Sequence, residues 1–157
     1  MPGMTVHTSD DRWLDAPVET VFAFMDEPSN QAAVTPSLTR AERIERLPNS
    51  GNRAAYEYTM FGRTFTGEVA ASTYEPPERI VYELSGDLAG RIALRFEPEG
   101  GGTRLTYAAD YEVPGPLPET LLAPLVRWYN RREVGQLLAN VAEAVEGERR
   151  AVAGSPS

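Results

Sequence analysis

Through the middle of this chain, apolar side chains recur at every second position. In "RAAYEYTM", Ala54, Tyr56, Tyr58 and Met60 share one face, and Glu57 and Thr59 share the other. The same period runs through "RTFTGEVAAST" (Phe65, Gly67, Val69, Ala71), "RIVYELSG" (Ile80, Tyr82, Leu84), "RIALRFEP" (Ile92, Leu94, Phe96) and "TRLTYAADYEV" (Leu105, Tyr107, Ala109, Tyr111). Such alternation buries one face of a strand and leaves the other to water. Weaker strands are expected at "MTVHTSDDRWL", residues 4–14, and "LTRAERIERL", residues 38–47. Short turn-rich joints ("PNSGN", Gly62, "EPPE", "EGGG") separate the runs from residue 38 onward. Successive strands on short turns predict an antiparallel meander with one wet face. A closed barrel fits less well, because a long helix follows.

Elsewhere the period changes to 3.6. In "DAPVETVFAFMDEP", Val18, Val21, Phe22 and Met25 fall on one helical face. Pro17 suits the first turn, with Ala16 or Asp15 at the cap and Glu19 beside the positive end of the helix dipole. Pro28 stops this helix, and "SNQAAVTP" predicts a second, short one. A long helix is expected from about Pro118 to Glu148. Its Val134, Leu137, Leu138, Val141 and Val145 form one stripe that must cover the sheet. Carried back at about 100° per residue, that stripe passes through Ala123, Arg127 and Asn130. Leu121, Leu122, Leu125, Trp128 and Tyr129 lie on the opposite side. Either the helix bends near residues 129–131, the preferred reading, or it exposes an apolar patch that binds something.

The fold class is therefore α+β, in a single domain over residues 1–149, with a disordered tail expected over 150–157. No apolar run reaches the length of a membrane span, and "MPGMTVHTSDDR" lacks the apolar core of a signal peptide, so a cytoplasmic address is expected. The chain has no cysteine, which excludes disulfides, thiolate nucleophiles and cysteine-ligated metal. Net charge is −8, and all 15 basic residues are arginine. An acidic surface repels nucleic acid and anionic membranes alike, so neither is expected as a partner. Two origins fit the absence of lysine: the codon usage of a GC-rich genome, and adaptation to high salt.

Four segments in order resemble the START-like, helix-grip (SRPBCC) superfamily, closest to its polyketide cyclase/dehydrase and lipid-transport members. They are "LDAPVETVFAFMDEPSN", "YEPPERIVYEL", "FEPEGGGTRLTYAADYEV" and "LLANVAEAVEGE". The likeness spans residues 4–148. It implies a curved seven-stranded antiparallel sheet that grips the C-terminal helix around a cavity for hydrophobic ligands, with the two short helices closing one side.

Five of the seven tyrosines, Tyr56, Tyr58, Tyr82, Tyr107 and Tyr111, fall in phase with the apolar faces of their strands, as does Phe65. A buried phenol needs a hydrogen-bond partner, which can be the protein, water or a ligand's polar group. Both roles, core and ligand-binding, stay open for each. Gly67 and Ala109 either leave room or let elements pack closely. Arg12, Arg127 and Asn130 are the polar residues able to point inward. Arg127 would bind a ligand carboxylate bidentately, against the plainer reading of a solvated arginine. His7, the sole histidine, reads as a surface residue. No nucleophile–base–orienter set can be named, and neither metal nor cofactor is expected.

The expected function is binding of a hydrophobic small molecule (lipid, polyketide-like or isoprenoid-like), as carrier or sensor. The candidate ligand residues are Tyr56, Tyr58, Phe65, Tyr82, Tyr107, Tyr111, Arg127 and Asn130. The alternatives are a metal-free polyketide cyclase/dehydrase-type enzyme using the same cavity, or a protein-interaction module acting through the Leu121–Tyr129 patch, including a homodimer formed through Leu121, Leu125, Trp128 and Tyr129.

Overall fold

A computed structural model describes residues 4–60, 62–113 and 119–153, with side chains at 5–60, 62–112 and 127–147. The elements run β1 (Met4–Leu14), α1 (Val18–Asp26), α2 (Pro28–Val34), β2 (Leu38–Arg46), β3 (Asn52–Met60), β4 (Arg63–Glu75), β5 (Arg79–Gly86), β6 (Ala89–Glu99), β7 (Gly102–Val113) and α3 (Glu119–Ala153). All seven strands form one antiparallel sheet in the order β1-β7-β6-β5-β4-β3-β2. From β2 to β7 each strand pairs with its successor, so tight joints suffice. The step from β1 to β2 must cross the whole sheet, and α1 and α2 occupy that crossing.

Local sequence accounts for the joints. Glu99 pairs with Gly102 across a loop of Gly100 and Gly101, whose φ values are +56° and +82°. A two-residue hairpin needs this left-handed backbone, and glycine adopts it without steric cost. Pro17 stands at the cap of α1, extended at φ −61° and ψ 150°, one place before the first helical residue. Pro28 opens α2, where its missing N–H costs nothing.

The helical assignment of α3 continues unbroken through residues 129–131 and reaches Ala153, past the end expected near residue 148. The first part of the expected tail is thus helical, and residues 154–157 lie outside the described ones. No helix among the described residues is long and apolar enough to cross a membrane.

The inner face carries the alternating residues that the sequence singled out. Leu14, Phe22, Met25, Ile80, Leu94, Phe96 and Leu105 pack with Leu138, Val141 and Val145 of α3 in one core cluster. The Phe22 and Phe96 rings meet edge-on at 5.0 Å. A second cluster joins Val6, Tyr56, Met60, Phe65, Leu88, Ala109 and Tyr111. In β4 a bulge between Ala71 and Thr73 shifts the register against β5. An extra residue reverses which side chains face inward. Tyr74, out of phase with Phe65–Ala71, therefore lies 5.6 Å from the Phe22 ring.

Candidate ligand-binding site

Between the inner sheet face, α2 and α3 lies a partly open cavity of about 100 Å³. Its walls are mainly apolar, with Leu38, Ala54, Val69, Leu84, Ile92, Ala109, Val134 and Leu137 among them. The polar lining comprises Thr8, Gln31, Thr35, Asn130, Glu133 and the tyrosines 56, 58, 82, 107 and 111. Strand alternation brings in Tyr107, Ala109 and Tyr111, and the small Ala109 leaves space between two phenols. Helical spacing brings in Asn130 and Glu133, which lie one turn before Val134 and Leu137 on α3.

The polar groups divide into those the protein satisfies and those it leaves free. Tyr56 is satisfied: its hydroxyl lies 3.2 Å from the Ser85 carbonyl, to which it donates, and accepts from the Leu88 N–H at 3.1 Å. Its ring lies against Gly67, where a Cβ would fall 2.6 Å from the Tyr56 hydroxyl and collide with the Ser85 carbonyl. Gly67 is therefore a close approach rather than a space for ligand, which settles the two readings the sequence left open.

Around Glu133, the Ser37 N–H donates to Oε1 at 2.8 Å, and the Tyr58 hydroxyl donates to Oε2. Tyr111 donates to Asn130 Oδ1. Gln31 reaches the Tyr82 hydroxyl at 3.5 Å. Tyr107 has no hydrogen-bond partner for its hydroxyl among the described residues. Thr8 is 5% exposed, and its Oγ1 is buried without a partner.

Burial pushes Tyr58, Tyr107 and Tyr111 far above the ordinary tyrosine range, and Glu133 adds to the shift in each case. Tyr82 is pushed up to about 12, by burial first and by Asp26 next. These phenols stay protonated through the neutral range and can act as hydrogen-bond donors.

Of the residues expected to bind ligand, the structure brings Tyr56, Tyr58, Tyr82, Tyr107, Tyr111 and Asn130 to the cavity wall. Two are not there. Phe65 is 2% exposed and packs in the cluster of Tyr56, Leu88, Ala109 and Tyr111 without itself lining the cavity, with the Arg63 guanidinium 4.8 Å from its ring centre. Arg127 is exposed. It lies three residues, about 4.5 Å along the helix axis, before Asn130, the first described residue of α3 on the cavity wall. The expected arginine for a ligand carboxylate is thereby withdrawn.

Sequence reasoning missed Glu133, Gln31 and Thr8. Glu133 sits four residues before Leu137 and eight before Val141, a spacing that carries the buried stripe back to it. Only its charge argues against placing it there.

Other polar groups are accounted for by the protein. Asp26 accepts from Tyr74 at 2.8 Å, Arg46 at 3.2 Å and Asn52 at 3.3 Å, tying α1 to β2, β3 and β4. His7 is exposed and pairs with Asp110 across β1 and β7. Among the described residues, no group of three or more His, Asp or Glu side chains is placed to hold a metal ion. Of the four residues expected at a dimer face, the side chains of Leu121 and Leu125 lie outside the described residues. Trp128 is 50% exposed, with the Arg132 guanidinium 5.6 Å from its ring, whereas Tyr129 is half-buried and hydrogen-bonded to Ser37.

Residues 5–146 match the family described as polyketide cyclase / dehydrase and lipid transport. The chain belongs to that family. The SRPBCC fold it shares encloses a cavity for hydrophobic ligands, and the cavity described above occupies that place between sheet and helix. Solved structures agree on the fold. The protein TTHA0849 of Thermus thermophilus superposes with a TM-score of 0.76 at 22% identity, over 95% of this chain and 99% of its own. A START superfamily protein of Mycobacterium smegmatis gives 0.75 at 18% identity, over 90% and 97%. The di-domain ARO/CYC StfQ of the steffimycin biosynthetic pathway gives 0.69 at 20% identity, over 94% of this chain and 52% of its own. Among curated proteins, none matches the chain in sequence.

Proposed function

We propose that this protein binds a hydrophobic small molecule, of lipid, polyketide-like or isoprenoid-like character, between its sheet and α3, as a carrier or sensor. The observation that carries this reading is the state of the cavity wall. It is mainly apolar, yet the half-buried Tyr107 turns into it a hydroxyl for which the described residues offer no partner. A ligand's polar group would complete that hydrogen bond while its carbon skeleton lies on the apolar walls. Tyr58, Tyr82, Tyr107, Tyr111 and Asn130 are the proposed contacts. Native mass spectrometry of freshly purified protein tests the proposal. A discrete adduct that organic extraction removes is the expected result. An apo mass before and after extraction, with no uptake of an apolar fluorophore, would count against it.

The Tyr58–Glu133 hydrogen bond favours a second reading, a metal-free cyclase/dehydrase-type enzyme. It sets a phenol donor and a carboxylate acceptor on one cavity wall, the pairing that proton transfer to and from a carbonyl-rich chain would use. StfQ, an ARO/CYC protein, shares the fold at TM-score 0.69. Under this reading, Tyr107→Phe and Tyr111→Phe each reduce turnover of a poly-ketone substrate. A turnover that both variants leave unchanged removes those hydroxyls from the mechanism. The half-exposed Trp128 supports the third reading, a homodimer through the start of α3. It requires a mass that rises with concentration in wild type and stays monomeric in Trp128→Ala.

A further inference from the structure

The cavity wall carries one charged side chain among the described residues, and it is an acid. Glu133 is 8% exposed, and each of its carboxylate oxygens already accepts from the protein, one from the Ser37 N–H and one from the Tyr58 hydroxyl. Neither bond brings a cation, and no arginine or histidine among the described residues lines the cavity. A carboxylate oxygen has a second lone pair to offer, so Glu133 keeps acceptor capacity toward the cavity. On the facing sheet, the half-buried Tyr107 lines the cavity, and its hydroxyl has no partner among the described residues. On β1, Thr8 lines the same cavity with a buried, unpartnered Oγ1. Thr8 pairs with Ala109, and so sits between Tyr107 and Tyr111 on the inner face.

This set of groups discriminates among ligand head groups by elementary electrostatics. A carboxylate brought beside Glu133 meets a like charge in a poorly solvated site, with no countercharge in the described wall. An ether or ester oxygen can accept from Tyr107 but gives Glu133 nothing. A hydroxyl does both: it donates to the carboxylate and accepts from the phenol. We infer that the cavity selects ligands whose apolar body ends in an uncharged hydroxyl, alcohol or phenol, and rejects free carboxylic acids, with Glu133 as the residue that sets this preference. The inference rests on the proposed ligand-binding role and narrows it to a chemical class.

The test compares three probes of one shape, 2-naphthol, 2-methoxynaphthalene and 2-naphthoate, titrated at pH 7 into the full chain and into Glu133→Gln. In wild type, naphthol binds at least about tenfold more tightly than naphthoate, and several-fold more tightly than the methyl ether. Glu133→Gln removes the charge but keeps the shape, and narrows the naphthol–naphthoate gap to about threefold, chiefly by admitting naphthoate. Tyr107→Phe deletes a hydroxyl that the described protein does not use. It weakens naphthol and the ether alike, each several-fold, and keeps the thermal midpoint of wild type; no loss for either probe would overturn the contact with Tyr107, so the inference stays testable if Glu133→Gln fails to fold. Binding of all three probes with equal affinity, or a gap that Glu133→Gln leaves unchanged, overturns the inference and leaves the ligand-binding role standing. Failure of all three to bind overturns both.

Discussion

α3 covers two unlike regions of one sheet. Toward its C-terminus, Leu138, Val141 and Val145 are at most 1% exposed and pack on Leu14, Phe22, Leu94, Phe96 and Leu105. Toward its N-terminus, Asn130 and Glu133 accept hydrogen bonds from Tyr111 and Tyr58, and Val134 lines a cavity together with Tyr107. In the first region every side chain fills space. In the second, the small Ala109 leaves space, and the hydroxyls of Thr8 and Tyr107 go without described partners. The packed region supplies stability; the cavity region gives some of it up to keep room and hydrogen-bonding capacity. Proteins depart from consistent packing and polar satisfaction mainly where function requires it.

Alkaline pH is expected to break the cavity region most completely. The buried Tyr82 and Tyr111 and the half-buried Tyr58 and Tyr107 all titrate above the ordinary tyrosine range, with Tyr82 pushed up to about 12. The unfolded chain releases these protons near pH 10, so between about pH 10 and the raised folded values it holds fewer protons than the native state. Stability is therefore unaffected below pH 10 and falls as pH rises beyond it. The chain has no lysine, and arginine keeps its charge through this range, so no side-chain cation titration confounds the measurement. Thermal midpoints from pH 8 to 12 should be flat and then drop, with phenolate absorbance appearing only as the protein unfolds. Phenolates forming near pH 10 in a still-folded protein would show these hydroxyls open to bulk water.

The packed region should respond to truncation instead. Phe96 is 1% exposed and meets Phe22 at 5.0 Å, so Phe96→Ala should cost about 3–5 kcal/mol in denaturant unfolding. Well below its lowered midpoint, the variant should keep wild-type affinity for an apolar probe, because Phe96 does not line the cavity. A large loss of affinity in the folded variant would mean that the two regions are one cooperative site.

Gly67→Ala comes next in size. Its new Cβ would collide with the Ser85 carbonyl and press on the Tyr56 ring, at an overpacking cost of about 1–3 kcal/mol. An unchanged unfolding midpoint would show that β4 and β5 can part without penalty.

Gly67 also marks where the sequence stopped being legible. Period two placed the strands and their inner faces, because a one-residue slip would bury charge along a whole strand. Period 3.6 placed the α3 stripe from Val134 to Val145 for the same reason. The bulge in β4 was hidden, since an added residue changes parity without a sequence signature of its own, and so Tyr74 was not seen to face inward. The cavity's polar groups were harder still. Arg127 and Asn130 lie on one stripe at helical spacing, yet the first is exposed and the second buried, because the stripe outruns the cavity wall. Glu133 was missed for the opposite reason: its spacing was right and its charge argued against burial. Pattern reads where a face points; it does not read how far the opposing surface extends.

The smallest expected effect has the opposite sign from the rest. Thr8 Oγ1 is buried without a partner, and such a hydroxyl costs about 1–3 kcal/mol relative to a satisfied or absent one. Thr8→Val replaces it with a methyl group of nearly the same shape, and should raise stability by about 1 kcal/mol in denaturant unfolding. Truncations in the packed region can only destabilise, because its Leu, Val and Phe side chains have no unsatisfied group to lose. The same Thr8 substitution should weaken a hydroxylated probe while leaving an apolar one unchanged, if Thr8 serves the cavity's polar end. A Thr8→Val protein less stable than wild type would place a hydrogen-bonding partner, such as a held water, against Oγ1. The cavity region would then be as fully satisfied as the packed one, and the contrast between the two halves of α3 would rest on room alone.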